Sequence, residues 1–92
     1  MFDMRKLRQF IAVAEELHFG KAAIRLHMSQ PPLSRSIQQI EKDLQAELFI
    51  RHPHGVELTN EGEVFLKEAR NILLTVERAY ERTAKAKRGE IG

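Results

Sequence analysis

Two adjacent prolines, Pro31 and Pro32, constrain this chain more than any other feature. Proline has no N–H and breaks a helix interior, but the first turn of a helix needs none of its N–H groups for internal bonds. A proline pair followed by an apolar period therefore marks a helix start. Ser29 stands just before it as a suitable N-cap, with Gln30 able to share that role. From there the apolar residues are Leu33, Ile37, Ile40 and Leu44, spaced i, i+4, i+7, i+11. That spacing lays one buried stripe along a helix. The opposite face carries Ser34, Arg35, Gln38 and Gln39. Arginine, glutamine and serine are side chains that hydrogen-bond base edges in a major groove. The pattern predicts the second, reading helix of a helix-turn-helix, with its polar side outward.

The preceding residues supply what such a helix packs on. Leu7, Phe10, Ile11, Ala14 and Leu17 repeat at helical spacing, with Asp3 or Met4 at the start of the segment. Arg5, Lys6 and Arg8 fall in its first turn, where the helix dipole disfavours cations. His18-Phe19-Gly20 breaks the period. Phe19 is expected as an apolar anchor at the corner, and Gly20 as an N-cap or a point of close backbone approach. A short helix from Lys21 to His27 then buries Ala22, Ala23 and Leu26, and the two alanines let the next helix cross closely. The N-terminus of this helix offers N–H groups to a phosphate, with Lys21 beside it and Arg25 as a second phosphate contact.

Beyond Leu44, the runs Leu48-Phe49-Ile50-Arg51 and Val56-Glu57-Leu58-Thr59 flank His52-Pro53-His54-Gly55. Two short strands around a Pro/Gly turn make a wing. Leu48, Phe49 and Leu58 are expected to pack below it, while Arg51, His52 and His54 reach outward. Histidines gain charge in mildly acid solution, so wing affinity for an anion is expected to depend mildly on pH. Thr59 or Asn60 then caps a last helix, with Glu61 and Glu63 favourably placed in its first turn. No proline interrupts the chain from there to about Lys87, a rod of about 42 Å. Phe65, Ala69, Ile72, Leu73, Val76 and Tyr80 form its apolar stripe, continued by Ala84 with Leu66 alongside. A small domain cannot cover so long a stripe, so its outer half is expected to pair with a second copy. Gly89 stops the helix.

Composition removes other classes. The chain has no cysteine, which excludes a disulfide framework and Cys-ligated zinc. No apolar run approaches the roughly 20 residues that span a membrane, and no secretory signal is visible, so a cytoplasmic protein is expected. The formal net charge is only +2, but between Leu17 and Ile40 there is no acidic residue, while Lys21, Arg25 and Arg35 are present. That gap coincides with the expected reading helix. No histidine pair has metal spacing with a carboxylate as third member, and no nucleophile–base pair or phosphate-cradling glycine loop is present, so neither a metal site nor an enzyme is expected.

The ordered set Phe19-Gly20-Lys21-Ala22-Ala23, Leu26, Ser29-Gln30-Pro31-Pro32-Leu33-Ser34-Arg35-Ser36-Ile37, Leu44, Leu48-Phe49-Ile50-Arg51 and Leu58-Thr59-Asn60-Glu61-Gly62 resembles the N-terminal region of LysR-type transcriptional regulators, from Leu7 to about Leu74. The resemblance implies a mainly α fold: a winged helix-turn-helix of three helices and a two-stranded wing over residues 1–59. A linker helix over 60–88 and a tail over 89–92 would follow, leading to an effector domain absent here. It implies dimerisation through antiparallel linker helices, with Phe65, Ala69, Ile72, Leu73, Val76 and Tyr80 in the contact, and tetramers of the full-length protein on promoter DNA. A small-molecule inducer would bind the absent domain, and no cofactor is expected in this fragment. By position, Gln30, Pro31, Ser34, Arg35 and Gln38 look like base-reading residues. Lys21, Arg25, Ser29, Arg51, His52 and His54 look like backbone and wing contacts. Two departures stand out. Gly20 replaces the Ser or Thr of many members, and His54 replaces a wing Arg. A protein-docking module without nucleic acid is the main rival, but such a module would more often expose apolar residues on the face that here is polar and acid-free.

Overall fold

The computed structural model describes residues 3–90. The outermost residues of the expected first and last segments, 1–2 and 91–92, lie outside the described residues. Helix α1 runs from Met4 to Glu16, α2 from Phe19 to Arg25 and α3 from Gln30 to Leu44. Strands β1 (Phe49–His52) and β2 (Gly55–Leu58) follow, and then helix α4 (Asn60–Lys87). The strands are antiparallel, with Phe49 opposite Leu58 and His52 opposite Gly55, so Pro53 and His54 form the turn. The fold is the expected mainly helical winged helix-turn-helix with one long final helix.

Three of the four described helices start on a side-chain cap. The Asp3 carboxylate accepts the Lys6 N–H at 2.8 Å and begins α1. That bond, ahead of the nearby Arg5 and Lys6 charges, holds the Asp3 pKa below the usual carboxylate range. Helix α2 begins two residues earlier than its spacing suggested. Its N-cap is His18, whose Nδ1 accepts the Lys21 N–H at 3.1 Å, and Gly20 lies inside the helix rather than capping it. Ser29 is the N-cap of α3 by position, but its side chain makes no capping bond. Thr59 caps α4 with its hydroxyl, accepting the Gly62 N–H at 2.9 Å and donating to the Glu47 carbonyl at 2.6 Å. At the far end Gly89, at φ 79°, takes the left-handed turn that closes the helix.

The core lies where α1, α2 and α3 meet under the wing. Leu7, Phe10 and Val13 of α1 are fully buried with Ala22, Leu33, Ile37, Ile40 and Leu48. Phe10 is the hub, its ring centroid 4.8 Å from Phe65 on α4 and 5.4 Å from Phe49 on β1. The wing is anchored from below by Leu48, Phe49 and Val56, with Leu58 partly buried, and the Val56 N–H donates to the Leu17 carbonyl at 3.0 Å. Val56 is a wing anchor that the strand reading left out.

The apolar stripe of α4 divides. Ala69 is completely buried, and Phe65 and Leu73 pack against the same core. These three were expected to meet a second copy; the inner turns of α4 instead lie over α1 and use them within the chain. Val76 is half-buried, Ile72 is exposed and Tyr80 is 78% exposed. Leu44, expected in the buried stripe of α3, is also exposed because the helix runs past the edge of the core before Gln45 turns the chain.

Candidate nucleic-acid interface

Helix α3 buries one side and presents the other. Leu33, Ile37 and Ile40 are fully buried, while Gln30, Pro31, Arg35 and Gln38 are exposed and Ser34 is half-buried beside them. The amphipathic period thus turns four of the expected base-reading residues to solvent and holds the fifth at the margin. Arg35 makes no ion pair among the described residues. Ser29 is exposed, and because its hydroxyl does not cap α3 it remains available for other partners.

The N-terminus of α2 and the wing flank this helix. His18, Phe19, Gly20, Gln30, Arg51 and His52 line a shallow notch of about 170 Å³ between them, closed by Gly55 and Val56. Lys21 is exposed at the start of α2 with no ion pair among the described residues. Because Nδ1 of His18 accepts the cap bond, its ring carries any proton of the neutral form on Nε2. The absent side chain of Gly20 keeps the notch open: a Cβ there would lie 2.9 Å from His18 Cε1 and 3.3 Å from Gln30 Nε2.

The wing residues divide by partner. Arg51 was expected to reach outward, but its guanidinium lies 4.3 Å over the Phe19 ring and donates through Nη2 to Ser34 Oγ at 3.3 Å. No periodicity signals this bond, because it joins residues on separate elements. His52 turns to Glu57, with Nε2 and Oε2 2.9 Å apart, a diagonal contact across the hairpin. His54 is exposed at the turn.

Arg25 is the expected phosphate contact that the fold employs differently. Its guanidinium pairs with Glu15 at 2.7 Å and Glu16 at 3.3 Å, at the end of α1. Glu15 also pairs with Arg70 of α4 at 2.8 Å. The hydrogen bond from Arg70, then that from Arg25, draws the Glu15 carboxyl below its usual pKa, and Glu15 in turn raises that of Arg25. The acid-free stretch hid this arrangement because the two carboxylates lie just upstream of it. Among the described residues no group of three or more histidine, cysteine or acidic side chains could hold a metal ion. No described helix is long and apolar enough to cross a membrane.

Comparison with known proteins gives one family. The model of bacterial regulatory helix-turn-helix proteins of the lysR family matches residues 4–63. The HTH-type transcriptional regulator TfdT of Cupriavidus pinatubonensis is 52% identical over 90 residues, which are 98% of this chain and 40% of that protein. The DNA-binding domain of CbnR, solved in complex with DNA, superposes with a TM-score of 0.90 at 44% identity, covering 94% of this chain and 99% of that one. Full-length CbnR complexed with its target DNA gives the same TM-score at 45% identity, covering 96% of this chain and 31% of that one. The chain therefore spans less than half the length of the regulators it matches.

Proposed function

The chain belongs to the lysR family of bacterial regulatory helix-turn-helix proteins, and from that premise we propose that it is the DNA-binding part of a transcription regulator. The observation that carries this reading is the outward side of α3, where Gln30, Pro31, Arg35 and Gln38 stand exposed opposite a fully buried stripe. In this reading α3 enters the major groove of promoter DNA, and Arg35, Gln30, Ser34 and Gln38 discriminate bases. Lys21, the Ser29 hydroxyl and the start of α2 contact phosphates, and the wing tip at His52–His54 follows the adjacent backbone. Arg25 has the weakest support among the backbone contacts, since Glu15 and Glu16 neutralise it.

Residues 1–59 act as the binding domain, 60–88 as the linker and 89–92 as the lead into an effector domain that binds a small-molecule inducer. The protein works in the cytoplasm as a dimer through its linker helices and as a tetramer at full length. Pairing matters energetically, because one domain covers little DNA and linkage supplies effective concentration.

The deciding experiment compares Arg35→Ala with Lys21→Ala on duplexes enriched from a random pool by the wild-type chain. Loss of the Arg35 fork relaxes preference at one position of each half-site, by roughly 1–3 kcal/mol if it grips a guanine. Loss of Lys21 weakens all duplexes alike and lowers the salt slope by about one. An equal, uniform loss in both variants refutes the division of roles, and failure of the wild type to enrich any duplex refutes the function.

A further inference from the structure

The polar side of α3 is held from outside the helix by one residue of the wing. The Arg51 guanidinium is held at two points: its Cζ lies over the Phe19 ring, 4.3 Å from the centroid, and its Nη2 donates to Ser34 Oγ at 3.3 Å. Phe19 is itself buried and sits edge-on to Phe49, two residues before Arg51 on β1, with ring centroids 6.2 Å apart. Phe49, Phe19, Arg51 and Ser34 thus link β1, α2 and α3 in one chain of contacts. A guanidinium held over a ring and hydrogen-bonded through one nitrogen has little freedom to swing, so its N–H groups keep a set direction. That direction is the Ser34 hydroxyl.

The consequence is chemical. A serine hydroxyl has one O–H to donate and two lone pairs to accept with. Arg51 can only donate, so in this contact Ser34 accepts with one lone pair. The accepted charged bond polarises the O–H, which points away from the guanidinium and becomes a stronger donor, while the remaining lone pair becomes a weaker acceptor. In a major groove, guanine O6 and N7, adenine N7 and thymine O4 accept such a proton, whereas the cytosine amino group offers only donors. We propose that Arg51 is a positioning residue that presents Ser34 as a hydrogen-bond donor, so that α3 favours a base acceptor over a cytosine amino group at the Ser34 position. The proposal rests on the DNA-binding reading. It differs from a direct wing contact, in which Arg51 would spend its charge on a phosphate.

The two roles separate in one experiment. The 92-residue chain and its Arg51→Gln, Arg51→Lys, Ser34→Ala and Arg51→Gln/Ser34→Ala variants are titrated against the duplex that the wild type enriches from a random pool. The single base-pair substitutions of that duplex are titrated in parallel, from about 50 to 200 mM salt. Positioning predicts a two- to tenfold loss of preference at one base pair, the same pair in Arg51→Gln and Ser34→Ala. The double variant loses no more than either single variant. Arg51→Lys, which keeps the charge without the planar fork, behaves like Arg51→Gln, and the salt slope stays at its wild-type value. A merely structural role would lower the thermal midpoint and all affinities together and leave the preference intact, which overturns the proposal. A slope reduced by about one in Arg51→Gln and restored in Arg51→Lys also overturns it, in favour of a phosphate contact. If the wild type enriches no duplex, the DNA-binding reading falls and this proposal with it.

Discussion

The α-carbon of Gly62 faces the carbonyl of Leu48 so closely that a Cβ at position 62 would lie 2.1 Å from the Leu48 oxygen. The contact occurs where the wing enters α4. The Thr59 N–H donates to that same carbonyl at 3.0 Å, and the Leu48 N–H is taken by Glu41 Oε2 at 2.8 Å. Both obligatory backbone groups of Leu48 are satisfied there, so neither side can retreat without breaking a bond.

Gly62→Ala therefore destabilises the domain, although alanine is the better helix former by about 1 kcal/mol. The overlap is with backbone rather than a flexible side chain, so the expected net cost is about 1–3 kcal/mol. Urea unfolding followed by helical signal measures it as a lowered midpoint. An unchanged or raised midpoint would show that α4 can move away from the wing without loss.

The Arg25–Glu15–Arg70 cluster ties α2 and α4 to the end of α1, and it makes stability depend on pH. The Glu15 pKa is lower folded than unfolded, first through the Arg70 hydrogen bond and then through that of Arg25. Its contribution is therefore complete above the unfolded value of about 4.3 and is lost as pH falls through the lower folded value. All three side chains are a third or more exposed, so screening keeps the effect of Glu15→Gln under about 1 kcal/mol at neutral pH and low salt. Wild type and Glu15→Gln should converge in stability once the pH lies below the folded value, and the gap at pH 7 should shrink in about 1 M salt. A gap that stays constant from pH 7 down to the acid unfolding of the domain would rule out the carboxylate as its source.

Much of this architecture can be read from residue order. Pro31-Pro32 marks the start of α3, its i, i+4, i+7 stripe is the buried one, and Thr59 with the unbroken run to Lys87 gives the bounds of α4. The misreadings share a physical origin. Period tells which side of a helix is apolar, not what covers it, so Leu44 reads as buried and Ala69 as open to a second copy. Caps depend on one side chain meeting one N–H, and His18 took the place that Gly20 was given. Contacts across elements, such as Arg51 to Ser34 or Arg25 to Glu15, leave no periodic trace at all.

Gly20 tests how a second layer steers a reading side chain. The Gln30 amide lies where a larger residue at position 20 would press on it, with only 3.3 Å between Nε2 and the position of a Cβ. Both groups in the way, the His18 ring and the Gln30 amide, are side chains, so the fold should adjust at a cost under about 1 kcal/mol. Gly20→Ser should therefore fold normally but alter the base preferred at the pair nearest Gln30. Selection from a random pool with both proteins would show it as a changed preference at one position per half-site. Identical selected sequences would mean that Gln30 is free of its neighbour.

The outer turns of α4 give the sharpest test of pairing, because the inner turns do double duty. Leu73 packs on the chain's own core, so Leu73→Glu is expected to lower monomer stability as well as any association and cannot separate the two. Tyr80 is 78% exposed beyond that core, near Met4, Arg8, Val76 and Glu77. A tyrosine left in water brings little stability to a lone domain, but buried against a second copy it contributes aromatic area of the kind that dominates interfaces. Tyr80→Glu should leave the urea midpoint of the dilute chain within about 0.5 kcal/mol of wild type, while shifting sedimentation at higher concentration toward the monomer. Unchanged sedimentation would place the contact between copies elsewhere on the molecule, and the exposed face of Ile72 would be the next position to substitute.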